Sequence, residues 1–289
     1  MLRIAVISDI HANPYALEAV VEDLDDQQVD EVLVGGDLVG RGPLGSAVVD
    51  LVRELGWPSV RGNHEDYTLE FRRQKVPDAW LVNPQWAASR WMAAELDEEH
   101  LVFLDDFPFT MTARSAPSLR LVHGSPRSHQ EGIGEWTSEE TLREHFESVD
   151  EPLLVCAHTH RPMVREVGDG LIVNVGSVGL PFNGDPRAQY AIFTKKPSGW
   201  EVEFRKVDYN RAPFLDDYET TGFLEEGGIS ALLLKREVET ARPFLVPFLK
   251  WAEFTGNPPT FESLDAFDAI YSEEMSMGEF YRLLTGANE

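Results

Sequence analysis

Five short clusters hold the residues of this chain best suited to chemistry: Asp9-Ile10-His11, Gly36-Asp37, Gly62-Asn63-His64-Glu65, His123-Gly124 and His158-Thr159-His160. They contain five of the eight histidines. Imidazole nitrogen combined with carboxylate oxygen suits first-row divalent metals. Asp9, His11, Asp37, Asn63, His123, His158 and His160 supply about the number of ligands that a dinuclear centre requires. Alternate residues of an extended segment share a face, so the sequence predicts that His158 and His160 point the same way, as do Asp9 and His11. Cys156 is the only cysteine, which excludes an intramolecular disulfide and a thiolate zinc site, so any metal is held by nitrogen and oxygen. One D-x-H or H-x-H is a common pattern, whereas all five clusters together, with the tetrapeptide 62–65 among them, point to a metal site.

Each cluster falls just after a run that reads as a strand, and the ends of strands are where open α/β folds gather their active groups. β-Branched runs at residues 4–8, 29–34, 59–61, 119–123, 153–157, 171–175, 190–193 and 201–207 read as strands. Residues 14–25 and 44–55 read as helices, the first with Pro14 at a favourable early position. Strand-loop-helix repeats followed by closely spaced late strands predict an α/β fold of two packed sheets flanked by helices. The tryptophans at 80, 86 and 91 carry core-like spacing, the last two near a helical repeat. Beyond residue 207 the strands stop. Residues 229–254 and 261–284 read as helical, interrupted by Pro243, Pro247 and the turn at 256–259. The chain therefore divides into a catalytic domain, residues 1–207, and an α-helical C-terminal extension, residues 208–289. The extension must bury its apolar face, either as a structural brace or dimer surface or by covering or bordering the cleft and limiting substrate size.

Acidic side chains number 50 against 25 basic, a net charge of −25. Such a surface repels phosphate backbones and anionic membranes, so neither long nucleic acid nor membrane is expected as a partner. No run of about 20 apolar residues occurs, and the first residues lack the features of a secretory leader. The expected location is the cytoplasm.

With these motifs in hand the chain resembles the calcineurin-like metallophosphoesterases, whose order is D-x-H, GD, GNH(E/D), H and GHTH. It looks most like their small bacterial phosphodiesterase branch, through His123-Gly124-Ser125-Pro126 and Asn174-Val175-Gly176-Ser177-Val178-Gly179. The resemblance covers about residues 1–207 and implies a four-layer αββα sandwich. It also implies two divalent ions, Mn²⁺ favoured with Fe or Zn²⁺ as alternatives. One would be held by Asp9, His11, Asp37 and His160, the other by Asp37, Asn63, His123 and His158, with Asp37 bridging. His64 would be the catalytic histidine, stabilising the transition state or protonating the leaving group. The activity implied is hydrolysis of a small phosphodiester by a metal-bridging hydroxide.

Two positions depart from the pattern. Ala157 replaces the first glycine of GHTH, and Gly40-Arg41-Gly42-Pro43 stands where the bacterial branch often carries tyrosine. Arg41 resembles the phosphate-gripping arginine of the protein Ser/Thr phosphatases, although Gly40 stands where they have aspartate. A guanidinium there can grip phosphate bidentately, which keeps phosphomonoesterase or Ser/Thr phosphatase-like activity as an alternative. A third reading, a silent binding scaffold like the retromer relative that lost the catalytic histidine, is opposed by the presence of His64. Asn13, Glu65 and Asn174 are candidates to orient the histidine ligands, with a turn or cap role the equal alternative for each. The substrate and the oligomeric state are left open.

Overall fold

The computed structural model describes residues 1–272 and 275–286. Strand β1 (Arg3–Ile7) leads into helix α1 (Pro14–Gln27), then β2 (Glu31–Val34), α2 (Gly45–Leu55) and α3 (Asn63–Arg72). Helices α4 (Asp78–Val82), α5 (Ala87–Glu95) and α6 (Glu98–Asp105) precede β3 (Thr110–Thr112), β4 (Leu119–Val122) and α7 (Glu139–Glu147). Strands β5 (Leu153–Cys156), β6 (Met163–Val167), β7 (Gly170–Asn174), β8 (Ala188–Lys196) and β9 (Gly199–Val207) complete the sandwich. The first sheet runs β2-β1-β8-β9 and the second β3-β4-β5-β7-β6. The parallel pairs are β1 with β2, β4 with β5 and β5 with β7.

Strand alternation divides the apolar residues between two faces. Ile4, Val6, Leu33, Ala191 and Phe193 of the first sheet meet Leu121, Leu153, Val155 and Val173 of the second in a core between the sheets. The intervening residues Ala5, Ile7, Val34, Tyr190 and Ile192 face outward onto Leu17, Val20, Val48, Val49 and Val52 of α1 and α2. On the other side Val122, Leu154, Cys156 and Ile172 face Leu142 of α7. The result is the expected four layers, helices outside two face-to-face sheets. Residues 59–61 do not form the predicted strand; Ser59 makes an isolated bridge to Val34, with hydrogen bonds on both sides of it.

The extension is more broken than its periodicity suggested. Helix α8 (Ala212–Thr220), which sequence periodicity did not reveal, precedes α9 (Phe223–Thr240), α10 (Leu245–Thr255), α11 (Leu264–Asp268) and α12 (Met277–Thr285). Gly228, at φ 60° and ψ −141°, interrupts α9, and Ala241 in the left-handed region ends it before Pro243. The predicted helix over 261–284 contains residues 273 and 274, which lie outside the described residues. Phe214, Tyr218, Phe223 and Leu234 are buried with Ala88 and Leu180 of the body, and Trp91 lies 4.9 Å from Phe223. Ile229, Leu233, Phe244, Phe248, Trp251, Phe267 and Phe280 form a second cluster within the extension. No described helix is long and apolar enough to cross a membrane.

Candidate metal centre

The five clusters lie at the carboxyl ends of β1, β2, β4 and β5 and at the start of α3, and they converge on one cleft. Asp9, His11, Asp37, Asn63, His123 and His160 are buried, while His64 and His158 are half-buried. The backbone that aims them is not extended. Asp9, His11, Asp37, His158 and His160 have φ between 50° and 66°, in the left-handed region. His158 and His160 accordingly serve different groups: Asp9, His11 and His160 form one, Asp37, His123 and His158 another. Asp37 stands between them, its Oδ2 3.7 Å from His11 Nε2 and 3.3 Å from His123 Nε2. Asn63 Oδ1 lies 3.0 Å from His123 Nε2. His64 joins His11 and Asp37 in a third group, whose possible ligand atoms lie within 4.8 Å of one another.

Backbone carbonyls orient the rings. Nδ1 of His11, His123 and His160 faces Val39 O at 3.3 Å, Gly35 O at 2.7 Å and Leu180 O at 2.5 Å. A carbonyl only accepts, so each Nδ1 carries a proton, and in the neutral ring Nε2 presents a lone pair to the cleft. His11 Nε2 and His160 Nε2 thereby oppose one another at 3.0 Å, and Asp9 Oδ1 is buried with no hydrogen-bond partner. Opposed lone pairs and an orphaned carboxylate oxygen are a donor set for a cation, and the nitrogen and oxygen chemistry fits first-row divalent ions.

The residues expected to orient the rings do something else. Glu65 accepts the backbone N–H groups of Asp37 (2.8 Å), Leu38 (2.7 Å) and Gly62 (2.7 Å), tying the loop after β2 to the start of α3. Asn13 caps α1 through Ala16 N and donates to Gly179 O. Asn174 donates to Ala157 O and Thr159 Oγ1, shaping the His158–His160 loop. None of the three bonds a ring, because nearby carbonyls already occupy the Nδ1 positions. A residue not singled out, Ser177, donates to Asp9 O (2.7 Å) and accepts from Leu180 N (2.8 Å), so it joins the loops of Asp9 and His160.

Charge and burial set the protonation of the rings. Burial lowers His64 to about 3 and His158 to about 4, and with the neighbouring His160 it holds His11 well below the usual histidine range. His123 is the exception: burial lowers it, but the Asp37 and Asp9 carboxylates outweigh this and raise it to about 10. Glu65, buried beside the Asp37 charge, rises to about 7. Neutral imidazole is the form that ligates metal.

Arg41 also reaches the cleft. Its Nε donates to His64 Nε2 at 3.2 Å, so that nitrogen is an acceptor and the ring proton sits on Nδ1. Nδ1 faces Gly40, where a Cβ would lie 2.2 Å away; only glycine fits, and its φ of 78° independently favours glycine. Nη1 of Arg41 pairs with Glu237 of α9 at 2.9 Å, and the guanidinium lies 5.7 Å from the centre of the Phe182 ring, which stacks on His160 at 4.5 Å. Neither Glu237 nor Phe182 was visible as a site residue in the sequence. Through Glu237 the extension thus supplies a partner to Arg41 beside the cleft.

Residues 2–197 match the calcineurin-like phosphoesterase superfamily domain. The chain is 31% identical over 223 residues to an uncharacterized protein of Methanocaldococcus jannaschii, covering 72% of this chain and 88% of that one. A metallophosphoesterase from Sphaerobacter thermophilus superposes with a TM-score of 0.66 at 32% identity, over 83% of this chain and all of that one. A hypothetical protein from Pyrococcus horikoshii superposes with a TM-score of 0.71 at 18% identity, over 84% of this chain and all of that one, a likeness of fold alone.

Proposed function

Because this chain belongs to the calcineurin-like phosphoesterase superfamily, which implies a phosphoric ester hydrolase, we propose that it is a dinuclear metal-dependent phosphodiesterase acting on a small substrate. The observation that carries the reading is the Asp37 carboxylate between two ligand groups, 3.7 Å from His11 and 3.3 Å from His123. Asp9, His11, Asp37 and His160 would hold one ion and Asp37, Asn63, His123 and His158 the other, with Mn²⁺ the first candidate and Fe or Zn²⁺ the alternatives. Bound divalent ions supply positive charge against the phosphoryl oxygens and acidify the attacking water.

The protein's own groups position and neutralise. Arg41 offers Nη2, which has no hydrogen-bond partner among the described residues, to a phosphoryl oxygen. His64, neutral and with Nε2 occupied as an acceptor, has no proton at that atom to give a leaving oxygen. Its role in this reading is to hold the Arg41 guanidinium and so stabilise charge on phosphorus. The diester preference draws on the segments 123–126 and 174–179; Arg41 favours a second reading, a phosphomonoesterase. A cytoplasmic location is part of this reading, and the net charge of −25 opposes long nucleic acid or membrane as partners.

Turnover of bis(p-nitrophenyl) phosphate, p-nitrophenyl phosphate and a phosphopeptide with added Mn²⁺ tests the proposal. The diester is expected to be the best substrate. Preference for either monoester selects the second reading, and no turnover of any of them leaves the scaffold reading.

A further inference from the structure

Arg41 is fixed at every level. Its backbone is in the left-handed region at φ 63°, its carbonyl accepts the Tyr218 hydroxyl at 2.7 Å, and its side chain spans His64 and Glu237. Tyr218 and Glu237 belong to α8 and α9, so two residues of the C-terminal extension hold one residue of the cleft. Glu237 is fully buried. Its Oε2 takes Arg41, while Oε1 accepts the N–H groups of Phe244 at 2.8 Å and Leu245 at 2.9 Å, at the start of α10. Both oxygens are satisfied, and the helix N-terminus adds favourable electrostatics. The carboxylate is thus aimed before any substrate arrives.

A buried ion pair is on average no better for stability than apolar residues of the same volume. The arrangement has a use that apolar residues could not serve: it spends one N–H group of Arg41 on Glu237 and another on His64, next to Asn63, and leaves Nη2 without a hydrogen-bond partner among the described residues. A long arginine otherwise samples many rotamers, and holding it in one removes that entropy loss from substrate binding.

We infer that Glu237 is a positioning residue for the Arg41 guanidinium, so that the C-terminal helices complete the phosphate-binding part of the site. This rests on the phosphoesterase reading above. Its chemistry is recognition of a phosphoryl oxygen by a guanidinium that is held ready through an acid from another part of the chain.

The test uses the full-length, Mn²⁺-loaded protein. In Glu237→Gln the amide oxygen can still accept from Phe244 and Leu245, while its NH₂ meets Arg41 Nη1 donor to donor. The expected result is a fall of about 10- to 100-fold in kcat/KM for bis(p-nitrophenyl) phosphate and a weakening of about tenfold in the calorimetric affinity for inorganic phosphate, with metal content unchanged. If Glu237 acts through Arg41, the double variant with Arg41→Ala is no worse than Arg41→Ala alone. Losses that add, or a Glu237→Gln protein within about twofold of wild type on both measurements, overturn the inference and leave the phosphoesterase reading intact. A wild-type protein that neither turns over phosphoesters nor binds phosphate overturns that reading and this inference together. Should Glu237→Gln not fold, Glu237→Asp keeps the charge while drawing the carboxylate back by one methylene from Arg41, and the same cycle with Arg41→Ala decides.

Discussion

Asp37 accepts the backbone N–H of His64 on Oδ1 at 2.8 Å, which leaves Oδ2 to face His11 and His123. One carboxylate therefore sets the start of α3 and stands between both ligand groups. Asp37→Asn keeps an oxygen acceptor for His64 and removes the charge. The expected outcome is loss of at least one of about two bound ions and a fall of more than about 10²-fold in kcat/KM. Elemental analysis of the purified variant beside its kinetics checks this; two ions and full activity would show that Asp37 is not shared.

His64→Ala should reduce turnover of an alkyl or nucleoside ester and of a p-nitrophenyl ester by similar factors, with metal retained. The reason is that His64 Nε2 accepts from Arg41, so the ring acts through charge on phosphorus. An alkoxide needs a proton to leave and p-nitrophenolate does not. A loss on the alkyl ester exceeding the other by about 10²-fold or more would restore the general-acid role expected from the sequence.

The His64 and His158 rings predict a particular response to acid in protein stripped of metal by chelation. His64 at about 3 and His158 at about 4 lie below the ordinary histidine value of 6.5. A depressed pKa means that the unfolded chain takes up the proton first. Stability conferred by the neutral rings is present above about pH 6.5 and is lost as pH falls toward 4, by about 1.4 kcal/mol per pH unit for each group. His158→Gln should flatten this slope in denaturant melts between pH 6.5 and 4. An unchanged slope would mean that His158 is not buried neutral in the folded chain.

Phe223 is fully buried at the junction of extension and body, beside Trp91 and Tyr218. Phe223→Ala should cost about 3–5 kcal/mol in urea unfolding, in a single transition if the extension and sandwich unfold together. Two separated transitions would show that the extension is an independent folding unit, and truncation after Val207 would then yield a stable sandwich.

The candidate ligands were legible because metal chemistry restricts residue types, and strand ends restrict where they stand: Asp9, His11, Asp37, Asn63, His123, His158 and His160 stand out without any structure, and the fold brings them to one cleft. The way they are aimed was legible only in part: Asp9 and His11, expected side by side, do stand in one group. Alternation in an extended strand predicted shared faces, whereas the left-handed backbone of His158 and His160 sends them to separate groups. The partners of the ring Nδ1 atoms are carbonyls of Gly35, Val39 and Leu180, which carry no side-chain signature. Arg41 and Glu237 are 196 residues apart, and nothing in the helical periodicity around Glu237 distinguishes it from a solvated acid. The break in α9 at Gly228 follows from a glycine that helical patterning tolerates.

The left-handed backbone at Asp9, His11, Ala12, Asp37, His158 and His160 sets the chain's heritable options. Each costs a side-chain-bearing residue about 1–2 kcal/mol that glycine would avoid. At His11, His158 or His160 glycine would thus ease the backbone while deleting the imidazole. A descendant released from its chemistry would gain robustness by drifting toward glycine at these loops, whereas one under selection for turnover must keep them strained. The loops that end β1, β2 and β5 are therefore where tolerance of heat and capacity for reaction pull in opposite directions.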